Sequence, residues 1–306
     1  MPETIVLTEC PRDAFQGFPK FIPTDRKIAY INRLIQAGVR RIDFGSFVSP
    51  KAVPQLADTA TVFENLKSPP GMYLIAIIAN LRGAEGLAVA NHKFGHVRNR
   101  RIHAAGFPMS VNETFQKRNT NKTLAEAWTE LAEIAALCKK EKIDLVVYLS
   151  MAFGNPYSES HDVARVAEAA QRAKALGAAT IQLADTVGVA TAAQVGMTFT
   201  TVKAAVPDVQ LGVHLHASPN TLREKVNSAL KAGCRLFDSA IGGIGGCPFA
   251  EDELVGNIDT IQLLPILKEA GIATPYTVDK LLDCAAEAQE MQRKFGSGSA
   301  AMSNEQ

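Results

Sequence analysis

Two histidines, His214 and His216, stand two residues apart in the segment VHLH. Side chains at positions i and i+2 of a β-strand point to the same face, so both imidazoles can reach one ion. The apolar run VQLGV that leads into the pair indicates such a strand. The same spacing is also typical of structural histidines whose hydrogen bonds are satisfied, so the elements around the pair must decide between the two interpretations.

Eight short apolar runs alternate with longer segments of helical periodicity, which indicates parallel strands with helices packed outside them. The predicted strands cover 4–10, 39–43, 72–79, 102–109, 143–150, 180–184, 209–216 and 235–241. The predicted helices cover 24–37, 52–67, 82–90, 121–141, 160–177, 191–206, 219–232, 251–270 and 277–295. Several helices end in a glycine suited to the left-handed conformation, at Gly38, Gly177 and Gly233.

Eight strand–helix units predict an α/β fold, a closed TIM (β/α)8 barrel over residues 1–295 with a C-terminal helix. The small polar residues of 296–306 predict a disordered tail. An open doubly wound sheet is the alternative, but no GxGxxG opens the first helix and no P-loop occurs. Because barrel active sites lie at the carboxyl ends of the strands, the residues that follow each strand are the candidates for chemistry.

Polar residues stand at or after the ends of six predicted strands, and closure of the barrel would bring them to one rim. In chain order they are Arg12 and Asp13, Asp43, Asn80, Asp185, His214 and His216, and finally Cys247 and Asn257. Singly, Asp13 is typical of a turn or helix cap and Asn257 of a loop. Together with the two imidazoles they form an oxygen and nitrogen donor set that suits Mg²⁺ or Mn²⁺.

Arg12 and Cys247 add acid–base and electrostatic candidates to this rim. A guanidinium beside the proposed metal is placed to stabilise an oxyanion, the alternative being a surface salt bridge. Cys247 follows the glycine-rich segment 242–246, which predicts a loop that closes over substrate and carries a catalytic thiol. A phosphate cradle is disfavoured because no GK[ST] follows these glycines.

The composition of the 306 residues excludes several classes of protein. A hydrophobic fraction of 47% with 21% charged residues is typical of a globular protein, and a net charge of +1 favours no nucleic acid. No apolar stretch approaches the ~20 residues of a membrane span and no signal peptide is visible, so we expect a cytoplasmic protein without a membrane partner. Five scattered cysteines without a CxxC pair predict reduced thiols, four of them in the core.

Five segments resemble successive motifs of the 3-hydroxy-3-methylglutaryl-CoA lyase family, and together they span nearly the whole predicted barrel. They are ECPRDAFQ, DFGSFVSPKAVPQLAD, ADTVGVAT, VHLH and GGIGGCPFAEDELVGN. The family consists of metal-dependent barrels in a wider group that includes isopropylmalate and homocitrate synthases. SFVSPKAVPQ and GGCPFA resemble the lyase branch rather than the synthases.

The resemblance implies a role for each residue that matches a motif position. The implied ligands of the divalent metal are Asp13, His214, His216 and Asn257. The implied catalytic residues are Arg12 as enolate stabiliser, Cys247 as mobile-loop thiol, and Asp13, His214 and Asp43. The implied substrate contacts are Gln16, Ser46, Asn119 and Asp185.

The implied reaction is a retro-Claisen cleavage of an acyl-CoA to acetyl-CoA and a keto acid. A base removes the hydroxyl proton, the C–C bond breaks to a ketone and a thioester enolate, and Cys247 or His214 protonates the enolate. The default substrate is 3-hydroxy-3-methylglutaryl-CoA. The polar segment NETFQKRNTNK resembles the family near Asn119 and Asn121, and this resemblance implies a CoA thioester rather than a free acid. We also expect a homo-oligomer.

The chain departs from the family pattern at several positions. Asp43 stands where the family usually has Glu, Ala217 replaces the acid after the second histidine, and Ile261 replaces an acid after the asparagine. Loss of one methylene moves a carboxylate by about an ångström, which is enough to alter proton transfer or substrate choice. An apparent basic insertion at 92–101 predicts either a solvated loop or a surface for CoA phosphates or a partner subunit.

Three other functions stay open. The first is a lyase for citramalyl-CoA or another 3-hydroxyacyl-CoA, which the changes at Asp43 and Ala217 keep in view. The second is a synthase that condenses an acyl-CoA with a 2-oxo acid, against which the lyase-like motifs argue. The third is a catalytically silent barrel that serves as a binding subunit. The intact set of Arg, Asp, His, Cys and Asn disfavours it, because a convergent polar site is costly to keep without a use.

Overall fold

Eight parallel strands close into a barrel in chain order in the computed structural model, which describes residues 5–95, 100–245 and 255–296. The strands are β1 (Val6–Glu9), β2 (Arg41–Ser46), β3 (Tyr73–Ile77), β4 (Ala104–Ser110), β5 (Asp144–Ser150), β6 (Thr180–Asp185), β7 (Gln210–Leu215) and β8 (Leu236–Ser239). Pairing of β1 with β8 closes the cylinder, with Val6 opposite Leu236 and Glu9 opposite Ser239. The predicted TIM barrel is confirmed.

Helices surround this barrel. They are α1 (Pro11–Gln16), α2 (Thr24–Gln36), α3 (Thr59–Asn65), α4 (Leu81–Phe94), α5 (Glu113–Thr120), α6 (Leu124–Glu141), α7 (Val163–Ala175), α8 (Ala192–Ala205), α9 (Pro219–Lys231), α10 (Thr260–Glu269) and α11 (Leu282–Met291). A capping box at Thr123 and Glu126 begins α6. Gly38, Gly177 and Gly233 have φ angles of +104°, +89° and +89°, so the predicted left-handed turns after α2, α7 and α9 are confirmed.

Apolar side chains fill two regions, because the strands of a parallel barrel are buried on both faces. A small cluster lies inside the barrel and consists of Ile75, Ile77, Ala104, Val146 and Tyr148. The larger core lies between the strands and the helices. The four described cysteines, Cys10, Cys138, Cys234 and Cys284, are buried and free, as predicted. None of the helices in the described ranges is long and apolar enough to cross a membrane.

Some predicted boundaries were wrong where a turn or a cap competes with helical periodicity. The helix expected over 251–270 begins only at Thr260, since the side chain of Asp259 caps the Ile261 amide and Asn257 pairs with the backbone of His216. In place of the helix expected over 52–67, a 3-10 turn begins at Pro54 and α3 begins separately at Thr59. The short helices α1 and α5 were not predicted, and each lies directly beyond a strand end.

The described residues of the basic segment, 92–95 and 100–101, lie at the amino-terminal end of the strands, opposite the rim expected to carry chemistry. It begins as the last turn of α4, where His92 pairs with Glu141 at 2.7 Å. Arg100 is buried and donates to the Leu66 carbonyl, and Arg101 donates to the Lys142 carbonyl. The described residues of the segment therefore join α4 to neighbouring elements, and residues 96–99 lie outside the described ranges.

Candidate active site and metal centre

The turn from β1 into α1 places two of the expected residues on the rim. Pro11 stands at the first position of α1, where its missing N–H costs nothing, and Arg12 and Asp13 follow at once. Arg12 Nη1 donates to Asp13 Oδ1 at 2.7 Å and to Gln16 Oε1 at 3.1 Å. Gln16 Nε2 donates to the same Asp13 oxygen at 2.9 Å. The three side chains form one connected network on a single helix face.

The carboxylate of Asp43, on β2, holds the other edge of the Arg12 guanidinium. Arg12 Nε and Nη2 lie 2.9 and 2.5 Å from Asp43 Oδ2, and both side chains are buried. The strand register shifts between Asp43 and Gly45, an irregularity of the kind that re-aims side chains near active sites. Asp43 Oδ1 is buried and has no hydrogen-bond partner among the described residues. One oxygen of this carboxylate is therefore available to a ligand.

The four expected metal ligands lie together beside this network. Ligand atoms of Asp13, His214 and His216 all lie within 4.8 Å of one another. Asn257 Nδ2 donates to Asp13 Oδ2 at 2.7 Å and to the Ile244 carbonyl at 2.9 Å. This leaves Asn257 Oδ1, like His216 Nε2, buried without a partner among the described residues. An orphaned amide oxygen, an orphaned imidazole nitrogen and a carboxylate, on side chains of one buried cluster, fit a divalent ion with oxygen and nitrogen ligands.

The charges of the site agree with this donor set. Burial raises the pKa of Asp13, but Arg12 and the two imidazoles outweigh burial and hold that pKa well below its usual range. Burial, together with the charge of His214, lowers the pKa of His216 to about 4. At neutral pH the carboxylate is ionised and the second imidazole is neutral, which are the forms that bind metal. Burial also raises the pKa of Asp43 to about 6 against the opposing effect of Arg12.

His214 is oriented by a residue that the sequence did not single out. Asp238, on β8, lies with Oδ2 3.2 Å from His214 Nδ1, and its other oxygen accepts from Gln182 Nε2 at 2.7 Å. Contact with Asp238 and the charge of Asp13 raise the pKa of His214, although burial opposes them. Asp238 thereby directs His214 Nε2 toward Asp13, 4.0 Å away. Alternate side chains of β8 face the barrel interior, and this alternation is the only feature of the sequence that could have indicated Asp238.

The remaining expected residues do not join this network. Ser46 ends β2 and donates to the Ile77 carbonyl at 3.2 Å, and Asn119 lies half-buried on α5. Asp185 ends β6 and is bound by Lys225 at 2.8 Å. Their roles as substrate contacts stay predictions. Cys247 lies outside the described residues, so its role as a loop thiol also stays a prediction.

A buried glutamate, Glu9, bonds to the two ends of the segment that leads from β8 through Asn257 to α10. Glu9 Oε1 accepts from the Ile241 amide at 2.8 Å, and Glu9 Oε2 lies 2.6 Å from the Thr260 hydroxyl. The same hydroxyl lies 2.9 Å from Ser239 Oγ. Glu9 therefore bonds to both ends of the chain segment that carries the candidate ligand Asn257.

The positions that depart from the family pattern carry no replacement acid. Ala217 is buried and donates its amide to the Gly256 carbonyl at 3.1 Å. Ile261 packs against the core at the start of α10. Among the candidate site residues that the structure describes, the carboxylates are Asp13, Asp43 and Asp185.

The chain is similar to known proteins of one family. The family model described as HMGL-like matches residues 5–287. The chain belongs to this family. Hydroxymethylglutaryl-CoA lyase YngG of Bacillus subtilis is 31% identical over 294 residues, 96% of this chain and 95% of that protein. The mitochondrial hydroxymethylglutaryl-CoA lyase of Mus musculus is 32% identical over 284 residues, 92% of this chain and 84% of that protein.

Solved structures agree with the sequence relatives. The HMG-CoA lyase of Brucella melitensis superposes with a TM-score of 0.87 at 31% identity, covering 95% of this chain and 99% of that one. An HMG-CoA lyase of Acinetobacter baumannii, in complex with coenzyme A and 3-methylmalate, has a TM-score of 0.85 at 31% identity, covering 97% and 96%. The resemblance to this lyase family that the motifs indicated is confirmed.

Proposed function

We propose that this HMGL-like protein is a metal-dependent carbon–carbon lyase that cleaves 3-hydroxy-3-methylglutaryl-CoA to acetyl-CoA and a keto acid. One observation carries the proposal: the ligand atoms of Asp13, His214 and His216 lie within 4.8 Å of one another, beside the guanidinium of Arg12. Relatives that match this chain over nearly its whole length are HMG-CoA lyases, which supports the same reaction.

Asp13, His214, His216 and Asn257 would hold Mg²⁺ or Mn²⁺. When bound, the ion would supply Lewis-acid stabilisation of negative charge on the substrate's hydroxyl and carboxylate oxygens. A donor set without a thiolate cluster argues against a structural zinc site, and its carboxylate and amide oxygens suit these hard ions.

Asp43 is our candidate for the base that takes the hydroxyl proton. Its Oδ1 lacks a partner among the described residues, and a pKa of about 6 leaves it ionised at neutral pH yet able to hold a proton. Loss of that proton allows the C–C bond to break, and the hydroxyl carbon becomes the carbonyl carbon of a ketone. The electron pair of the broken bond moves into the thioester, which leaves as an enolate. Arg12, which Asp43 and Asp13 hold in place, would stabilise the enolate oxygen. Cys247 or His214 would return a proton to carbon and complete acetyl-CoA.

The substrate side of the proposal rests on Gln16, Ser46, Asn119 and Asp185. A second candidate substrate is citramalyl-CoA or another 3-hydroxyacyl-CoA. The HMG-CoA lyase of Acinetobacter baumannii is bound to coenzyme A and 3-methylmalate, which supports this second candidate substrate. We further propose a cytoplasmic location, supported by the match to a bacterial lyase over nearly the full chain. That the protein is a homo-oligomer stays a prediction.

The test is a steady-state assay across a panel of 3-hydroxyacyl-CoA thioesters that includes 3-hydroxy-3-methylglutaryl-CoA and citramalyl-CoA. We expect acetyl-CoA release from the first with added Mg²⁺ or Mn²⁺ and none after chelation. Preference for citramalyl-CoA would select the second candidate. Absence of cleavage across the panel, with tight binding of acyl-CoA, would support the silent barrel instead.

A further inference from the structure

Helix α9 carries a buried lysine that the proposed mechanism does not use. Lys225 is 2% exposed, and its ammonium group donates three hydrogen bonds. Nζ lies 2.8 Å from Asp185 Oδ2, 2.9 Å from the His216 carbonyl and 3.1 Å from the Gly188 carbonyl. An ammonium has three donors, so this group is fully satisfied by these acceptors.

The three acceptors belong to the ends of two neighbouring strands. Asp185 is the last residue of β6, Gly188 lies in the turn that follows it, and His216 is the residue directly after β7. Lys225 therefore connects the β6 turn to the backbone of a candidate metal ligand. Because Lys225, Asp185 and His216 are buried and Gly188 is partly buried, removal of the ammonium would leave two carbonyls and a carboxylate with fewer partners.

The same turn also contacts the His216 side chain and the segment that carries Asn257. The imidazole of His216 interacts with the Thr186 backbone, within the turn that Lys225 holds. Gly188 has φ +73°, and a Cβ there would lie 2.9 Å from Cβ of Val255. Only a glycine lets the turn approach Val255 this closely, two residues before Asn257. The turn is thus packed between α9 and the ligand-bearing segment.

We propose that Lys225 is a positioning residue that fixes the orientation of His216 as a metal ligand. It acts at two points: directly on the His216 carbonyl, and through the β6 turn on the His216 imidazole. This inference rests on the metal site of the proposed function. Groups that hold a metal ligand in place typically affect metal affinity by about 10- to 100-fold.

The substitution Lys225→Met removes the ammonium and keeps most of the side-chain volume. The chain offers a matched control in Lys27, on α2, which is 3% exposed and donates to the Gln55 carbonyl and to Asp58. Lys27→Met also removes an ammonium that bonds to a carbonyl and a carboxylate. None of the described partners of Lys27 belongs to the metal site. Loss of stability alone would affect the two variants alike.

Mn²⁺ affinity, measured by electron paramagnetic resonance of the free ion, is the first measurement. We expect Lys225→Met to weaken it at least ~10-fold and Lys27→Met to leave it within about twofold. If Lys225→Met does not fold because Asp185 is left unpaired, the double variant Lys225→Met with Asp185→Asn is compared with Asp185→Asn alone. The same loss is then expected from the added lysine substitution.

The second measurement needs no metal. In histidine-labelled protein with chelator, the ¹⁵N signals of His216, assigned with His216→Gln, should shift or broaden in Lys225→Met and stay unchanged in Lys27→Met. Unchanged His216 signals, or equal losses of Mn²⁺ affinity in both lysine variants, would overturn the proposal. If the wild-type protein binds no Mn²⁺ but His216 responds only to Lys225→Met, the proposed function fails while the positioning role stands.

Discussion

The carboxyl group of Glu9 should make the folded protein less stable as the pH rises from weakly acid to alkaline. Its side chain is fully buried between the end of β1 and the segment from β8 to α10. Burial, with a smaller contribution from the charge of Asp259, raises its pKa from 4.5 to about 8 despite hydrogen bonds from Ile241 and Thr260. The neutral acid is therefore the form that the fold prefers.

The sign and size of the effect follow from this pKa. A carboxyl whose pKa rises on folding stabilises the folded state fully below pH 4.5, and this contribution is lost as the pH rises through about 8. Because the pKa shifts from 4.5 to about 8, the rise in pH lowers the free energy of unfolding by about 5 kcal/mol in all. About 2.5 kcal/mol of this loss falls between pH 6 and pH 9. Glu9→Gln keeps an acceptor for the Ile241 amide and a polar group beside the Thr260 hydroxyl, and removes the titration.

Urea unfolding at several pH values measures this directly, because the single tryptophan, Trp128, is buried and its fluorescence reports the transition. The free energy of unfolding of Glu9→Gln minus that of the wild type should increase by about 2.5 kcal/mol from pH 6 to pH 9. Glu168→Gln, at an exposed position of α7, is the control and should show no such trend. A difference that stays constant across this range would refute the reasoning.

Four further predictions concern the active site. Arg12→Gln should lower kcat at least ~100-fold at saturating Mn²⁺, and a rise in KM alone would show that Arg12 only holds substrate. His214→Ala should abolish Mn²⁺ binding, whereas full turnover of the stripped enzyme in chelator would contradict a metal role. Because the pKa of Asp43 is about 6, kcat/KM should fall as the pH drops below that value, and a flat profile to pH 5 would exclude it as the base. Cys247→Ser should keep metal and acyl-CoA affinity but lose most turnover, and full activity of this variant would contradict the assignment. Alkylation of the wild-type thiol should slow when substrate is present.

The sequence by itself determined the barrel and much of its rim. Local alternation of apolar strands and helices predicts eight parallel units, and parallel strands must all end at the same side. Arg12, Asp13, Asp43, His214 and Asn257 were therefore expected to converge, and the short distances among their side chains confirm it. The motifs that carry the resemblance lie at these strand ends, where loops are free to hold chemistry on a fixed scaffold.

The tertiary structure alone decided how those residues are held. Asp238 orients His214 from 24 residues away, and Lys225 reaches Asp185 across 40. In the sequence, Lys225 is one more lysine of an amphipathic helix, and Glu9 is a strand residue that meets Thr260 only when the barrel closes. Such partners are set by packing between elements distant in the chain, which local periodicity does not encode. For the same reason the helix expected over 251–270 was wrong: contacts of Asn257 and Asp259 with the β7 and β8 ends outweigh the helical pattern.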